Sequence, residues 1–137
     1  MVDPRPIPSQ PATHLGAEPR LLGTPVRLSA GSALVRLPTS SAMVVDASGL
    51  VHGGFTFGLA DYAAMLAVND PHVVLGGAET RFLAPVRKGE VMEAEAHVRA
   101  GRGRKRMVEV VVRVGDRPVM TGTFTCFVLD RPVLAAR

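Results

Sequence analysis

The stretch Gly53–Val68 is apolar along its whole length except for one carboxylate, Asp61. A helix with no polar face is stable only when buried, so this segment has to sit inside the fold. Burying a lone carboxylate is costly unless it is paired or neutralised. Asp61 therefore marks either a buried ion pair, with Arg81 as a candidate partner, or a functional site. The stretch opens with His52-Gly53-Gly54, which leaves the first N–H groups of the helix clear of side chains. Such groups can hydrogen-bond an anion or a developing oxyanion. A buried carboxylate and an oxyanion donor on one element point to acyl chemistry.

Beyond this helix the pattern changes to period two. His72–Pro85 follows the stop signal Asn69-Asp70-Pro71. In Glu90–Ala100, Met92, Ala94, Ala96 and Val98 alternate with Glu93, Glu95, His97 and Arg99. In Arg104–Val114, Val108, Val110, Val112 and Val114 alternate with Glu109 and Arg113, and the tight Gly115-Asp116 turn leads into Arg117–Leu129. Pro25–Leu37 supplies one strand before the helix, followed by a loop to about Val51 that holds Asp46 and Gly49. The order β-α-β-β-β-β predicts an α+β fold in which one helix covers an antiparallel sheet of about five strands. Pro4, Pro6, Pro8, Pro11 and Pro19 predict an extended, flexible arm over residues 1–19, ahead of a single domain over residues 20–137.

Composition narrows the function classes. A hydrophobic content of 47% in 137 residues is ample for one packed core. The one cysteine, Cys126, excludes an intramolecular disulfide, and no clustered His/Cys spacing suggests a metal site. A reducing cytoplasm fits this usage. No apolar leader is present and the longest apolar run carries Asp61, so no membrane association is expected. A net charge of +4 suits a polyanionic ligand, but an aromatic content of 4% leaves little to stack bases, so no nucleic-acid partner is expected.

Three motifs carry a resemblance. Asp46-Ala47-Ser48-Gly49-Leu50-Val51-His52-Gly53-Gly54, with Leu59-Ala60-Asp61 following, is similar to an N-x-x-G-x-x-H-G-G motif with its downstream carboxylate. Arg81-Phe82-Leu83-Ala84-Pro85, leading to Gly89-Glu90, is similar to an R-F-x-x-P-x-x-x-G-[DE] strand and turn, and Gly122-Thr123-Phe124 to a terminal strand. In this order the set resembles the hotdog-fold acyl-CoA thioesterases of the phenylacetate-pathway (PaaI-like) type.

That resemblance implies hydrolysis of acyl-CoA with Asp61 as general base or nucleophile and the Gly53 N–H as oxyanion donor. It implies no cofactor beyond the CoA of the substrate, and a homodimer or homotetramer with sites at the subunit interface. Helix geometry agrees, because Gly53 and Asp61 lie about 12 Å apart along one axis and cannot both reach one carbonyl. Two positions depart from the family pattern: Asp46 stands where Asn is usual, and Tyr62 where a small hydroxyl residue often follows the carboxylate. If Asp46 approached Asp61, the two carboxylates would titrate as a pair.

Several residues keep two readings. His52 and Gly54 belong to the candidate site, His52 as an orienting group, since no Ser or Cys is spaced for a triad with it. Gly76-Gly77 reads as a strand bulge or as room for a pantetheine arm. Arg102, Arg104, Lys105 and Arg106 read as a solvated turn or as contacts to the CoA phosphates. Cys126 reads as core and His97 as solvated. The runner-up function is a non-catalytic acyl-CoA or acyl-carrier binding module. Hydration of an enoyl thioester is a third, disfavoured by the absence of the paired Asp and His expected of hotdog hydratases.

Overall fold

The computed structural model describes residues 10–135. Its elements are α1 (Pro19–Leu22), β1 (Thr24–Ser29), β2 (Ser32–Pro38), a 3-10 turn (Ser41–Met43), α2 (Gly53–Val68), β3 (Val73–Phe82), β4 (Val91–Arg102), β5 (Lys105–Val114) and β6 (Arg117–Val128). The strands form one antiparallel sheet in the order β1-β2-β4-β5-β6-β3, wrapped against α2. This is the hotdog architecture.

The sheet has six strands, one more than the periodicity predicts. Pro25–Leu37 is not one strand but a hairpin, folded at Ala30-Gly31 so that Ser29 pairs with Ser32. Gly31 takes φ +69°, a conformation that side-chain-bearing residues avoid, and this lets the chain reverse in two residues.

Alternation sorts the sheet into two faces. Ala33, Val35 and Leu37 of β2, Met92, Ala94 and Ala96 of β4, Val108, Val110 and Val112 of β5, and Phe124 and Cys126 of β6 are buried against α2. Small residues on both sides, Ala94 and Ala96 facing a helix rich in alanine, allow close approach of helix to sheet. The opposite face carries ion pairs: Arg36 with Glu93 at 2.7 Å, Arg99 with Glu109 at 3.1 Å, and Glu95 with Arg27 and His97, both at 3.3 Å. Exposed pairs of this kind contribute little stability singly.

Asn69 ends α2 in the left-handed conformation and gives its backbone N–H to Met65 O. Its side chain also holds the N-terminal segment. The amide oxygen accepts from Ala12 N at 2.8 Å and the amide nitrogen donates to Gln10 O at 3.0 Å. Thr13 is buried and Leu22 packs on the core. Part of the segment expected as a free arm over residues 1–19 is thus docked from Gln10 onward, and its first nine residues lie outside the described ones. Among the described residues no helix is long and apolar enough to cross a membrane.

Candidate active site

The loop before α2 is organised by its own side chains. Asp46 accepts from Ser48 Oγ at 2.7 Å, Ser48 N at 2.9 Å and Leu50 N at 3.1 Å, closing an Asx turn. The Ser48 hydroxyl first, then the Leu50 amide, hold the Asp46 carboxyl below its ordinary range. Asp46 is exposed and Asp61 is not among the groups acting on it, so within one chain the two carboxylates do not titrate as a pair. Here the residue shapes the loop.

His52 is the N-cap of α2. Its Nδ1 accepts from Gly54 N at 2.7 Å, which leaves the ring proton on Nε2, and its own N–H donates to Met43 O at 2.9 Å. The cap takes the Gly54 N–H, so Gly54 is not a free oxyanion donor. Gly53 differs: its N–H has no partner among the described residues. The ring of Phe82 stands so close that a Cβ at position 53 would lie 3.1 Å from it. One turn on, the buried Thr56 hydroxyl donates to Met92 Sδ at 3.3 Å.

Asp61 lies two turns further along α2. One of its oxygens, Oδ1, is enclosed and has no hydrogen-bond partner. Burial alone raises the carboxyl from 3.8 to about 6. No ion pair reaches it among the described residues. Arg81, the sequence candidate for that role, turns to the outer face of β3 beside Thr121 and Thr123. Asp61 faces β6 instead, where Phe57 meets Phe124 with ring centroids 5.5 Å apart and the Asp61 charge acts on Cys126. Alternation puts Cys126 in the core but gives no sign that it adjoins Asp61.

The other candidate residues gather at the far end of the sheet. Leu75 and Gly77 flank a bulge in β3, and Gly76 lies under the ring of Phe127, where a Cβ would come within 2.3 Å. Close packing thus accounts for Gly76, while the space at Gly77 is open. In the β4–β5 turn, Arg104 pairs with Asp130 at 2.6 Å and Arg106 Nη1 donates to the Gly103 and Lys105 carbonyls. Arg102 and Lys105 have no side-chain partner among the described residues. Lys105 pairs in register with Phe127, so the basic turn and the glycine pair share one end of the sheet.

Residues 48–121, which include the end of the loop, Gly53, Asp61 and most of the sheet, match the model of the thioesterase superfamily. The chain belongs to that superfamily. The chain also resembles several individual proteins. Over 119 residues, 86% of its length, the chain is 47% identical to a methylthioribose-1-phosphate isomerase of Aquifex aeolicus, of which it spans 26%. It is 29% identical over 127 residues to the transcription factor FapR of Caldanaerobacter subterraneus, covering 91% of this chain and 62% of that one. The chain thus spans about a quarter and about three-fifths of these two relatives. A crystal structure of a Pyrococcus horikoshii protein superimposes with TM-score 0.92 at 50% identity, covering 93% of this chain and 98% of that one. An Asn-to-Asp mutant of the phenylacetic acid degradation protein PaaI from Thermus thermophilus superimposes with TM-score 0.72 at 30% identity, over 79% and 95% of the two chains.

Proposed function

We propose that this protein hydrolyses acyl-CoA thioesters in the cytoplasm, with Asp61 as general base or nucleophile and Gly53 N–H as the oxyanion donor. The observation that carries the reading is the half-buried Asp61 carboxyl, whose Oδ1 is enclosed without a partner and whose pKa is raised to about 6. A structural carboxylate would have found a donor. One held at this pKa is mostly ionised at neutral pH and is a stronger base than an ordinary Asp. As base, Asp61 takes a proton from water as the water oxygen attacks the thioester carbon. Gly53 N–H holds the carbonyl oxygen as it gains charge, and CoA leaves as the thiol once it recovers the proton. As nucleophile, the carboxylate attacks the thioester carbon, the C–S bond breaks to release the CoA thiolate, which takes a proton from solvent, and water then hydrolyses the mixed anhydride to the free acid and regenerated Asp61. Neither route calls on a cofactor beyond the CoA of the substrate.

The working unit in this reading is at least a dimer. β3 is an edge strand with an exposed centre, Gly76–Glu79. Phe82, at one end of β3, stands at Gly53; Leu75, near the other end, pairs with Cys126, beside Asp61. Two-fold antiparallel pairing through β3 would carry the Gly53 of one copy towards the Asp61 of the other, closing the roughly 12 Å gap that one helix leaves.

A binding module without turnover is the second reading, favoured by the likeness to FapR. Thiol release from a panel of acyl-CoAs separates the two. We expect turnover that falls about 10²- to 10⁴-fold in Asp61→Asn with the fold intact. Mixed dimers of Asp61→Asn with Gly53→Val should recover part of the activity. Binding of acyl-CoA with no thiol release from the wild type would favour the module.

A further inference from the structure

The free N–H of Gly53 opens onto a trough of about 360 Å³ between α2 and the segment that follows β3. Its wall is carbon. Leu50, Phe82, Leu83, Pro85 and Val86 face it, and Phe82 and Leu83 are 55% and 51% exposed, more than apolar side chains of their size usually are. Three of the donors of the wall are engaged: Thr56 Oγ1 with Met92 Sδ, Val51 N with Val86 O at 2.9 Å, and Leu83 N with Val119 O at 2.8 Å. No charged side chain lines it. Arg81 turns to the outer face, and Arg87 and Lys88 stand outside the rim, next to Leu50 and Gly49.

We propose that this trough receives the acyl group of the substrate and selects neutral, apolar acyl chains over chains that end in a carboxylate. The inference rests on the thioesterase reading above, which puts the carbonyl at Gly53 N–H. An acyl chain continuing from that carbonyl runs along Phe82 and Leu83. Each methylene removed from water there favours binding about three- to fourfold. A terminal carboxylate carried to the same wall loses its water and gains no donor, which disfavours it by on the order of a hundredfold. Phe82 also bounds the trough at its catalytic end, where a Cβ at position 53 would lie 3.1 Å from its ring.

The test compares kcat/KM for butyryl-, hexanoyl- and octanoyl-CoA with succinyl- and glutaryl-CoA. In parallel, calorimetry follows the binding of non-hydrolysable thioether analogues of the same acyl-CoAs. Expected are a rise along the neutral series and a deficit of roughly a hundredfold for the carboxyacyl members. Leu83→Arg, at an exposed position, should narrow that deficit at least tenfold. The analogues keep this question separate from hydrolysis. If no thioester is cleaved but the analogues rank as stated, the hydrolase reading fails and the trough assignment stands. Carboxyacyl analogues that bind as well as neutral ones would overturn it, as would neutral analogues whose affinity does not change with chain length.

Discussion

The charge of Asp61 on the helix reaches the Cys126 thiol on the facing strand: burial first, then the Asp61 charge, push the thiol up to about 12. The neighbourhood follows from matched spacings. Phe57 meets Phe124; four helical residues further along, about 6 Å, Asp61 comes level with the residue two strand positions beyond Phe124, about 6.8 Å away, which is Cys126. Cys126 turns its Sγ–H to Phe124 O at 3.8 Å, and Oδ1 of Asp61 remains without a donor. Among the described residues no other charge contributes to the Asp61 shift, which burial alone produces. The charged residues of β2, β4 and β5 pair on the opposite sheet face, and Glu79 and Arg81 of β3 turn there too.

Hydrolysis should therefore fall as pH drops through about 6, where Asp61 takes up its proton. Cys126→Ser replaces a weak donor by a strong one on the strand that faces Asp61 and should move this acid limb down by roughly half a unit to one unit. Cys126→Ala, which adds no donor, should leave it in place. A pH profile of kcat/KM reads both, and an unmoved limb in the Ser variant would separate the two residues functionally.

Stability should carry the same signature with the opposite sense. The Asp61 pKa is raised on folding, so its contribution is most favourable below about 4 and is lost as pH rises through about 6. Asp61→Asn should raise the melting temperature at pH 8, by an amount corresponding to on the order of 1–2 kcal/mol after allowance for partial exposure. The gain should disappear near pH 4. A variant less stable than wild type at pH 8 would point to a partner for the carboxylate in the assembled protein.

The basic turn divides into occupied and free cations. Arg104 and Arg106 are engaged, whereas Arg102 and Lys105 have no side-chain partner among the described residues. If the turn holds CoA phosphates, Arg102→Gln and Lys105→Gln should each raise KM severalfold at low salt with kcat unchanged, and the effect should shrink at high salt. Arg104→Gln should matter less. Identical kinetics for all three variants would make the turn a solvated hairpin and no more.

Gly76 and Gly77 should respond differently to the same change. Gly76→Ala drives a methyl into the ring of Phe127 and should cost about 1–3 kcal/mol in thermal or urea unfolding. Gly77→Ala meets open space and should change stability by less than about 1 kcal/mol. Gly76→Ala combined with Phe127→Ala should recover most of the loss, and failure to do so would mean the glycine answers to the backbone and not to the ring.

The sequence by itself determined the elements and their faces. The span of α2, the strands after it, the Gly115-Asp116 turn and the burial of Cys126 all follow from periodicity and punctuation, which act over a few residues and fix which way each side chain points. It also marked Asp61 and Gly53, because a charge in an apolar helix and a bare helix start are local anomalies. What it did not determine is which residues meet across the fold. The hairpin at Ala30-Gly31, the Phe82 ring over Gly53, Cys126 beside Asp61, and Arg104 tied to Asp130 depend on strand order and register. Alternation says that a residue faces inward and not which inward neighbour it finds. Only the tertiary structure, by setting β6 between β5 and the edge strand β3, decided that Asp61 would lie in a desolvated corner with no donor, and that desolvation is what raises its pKa.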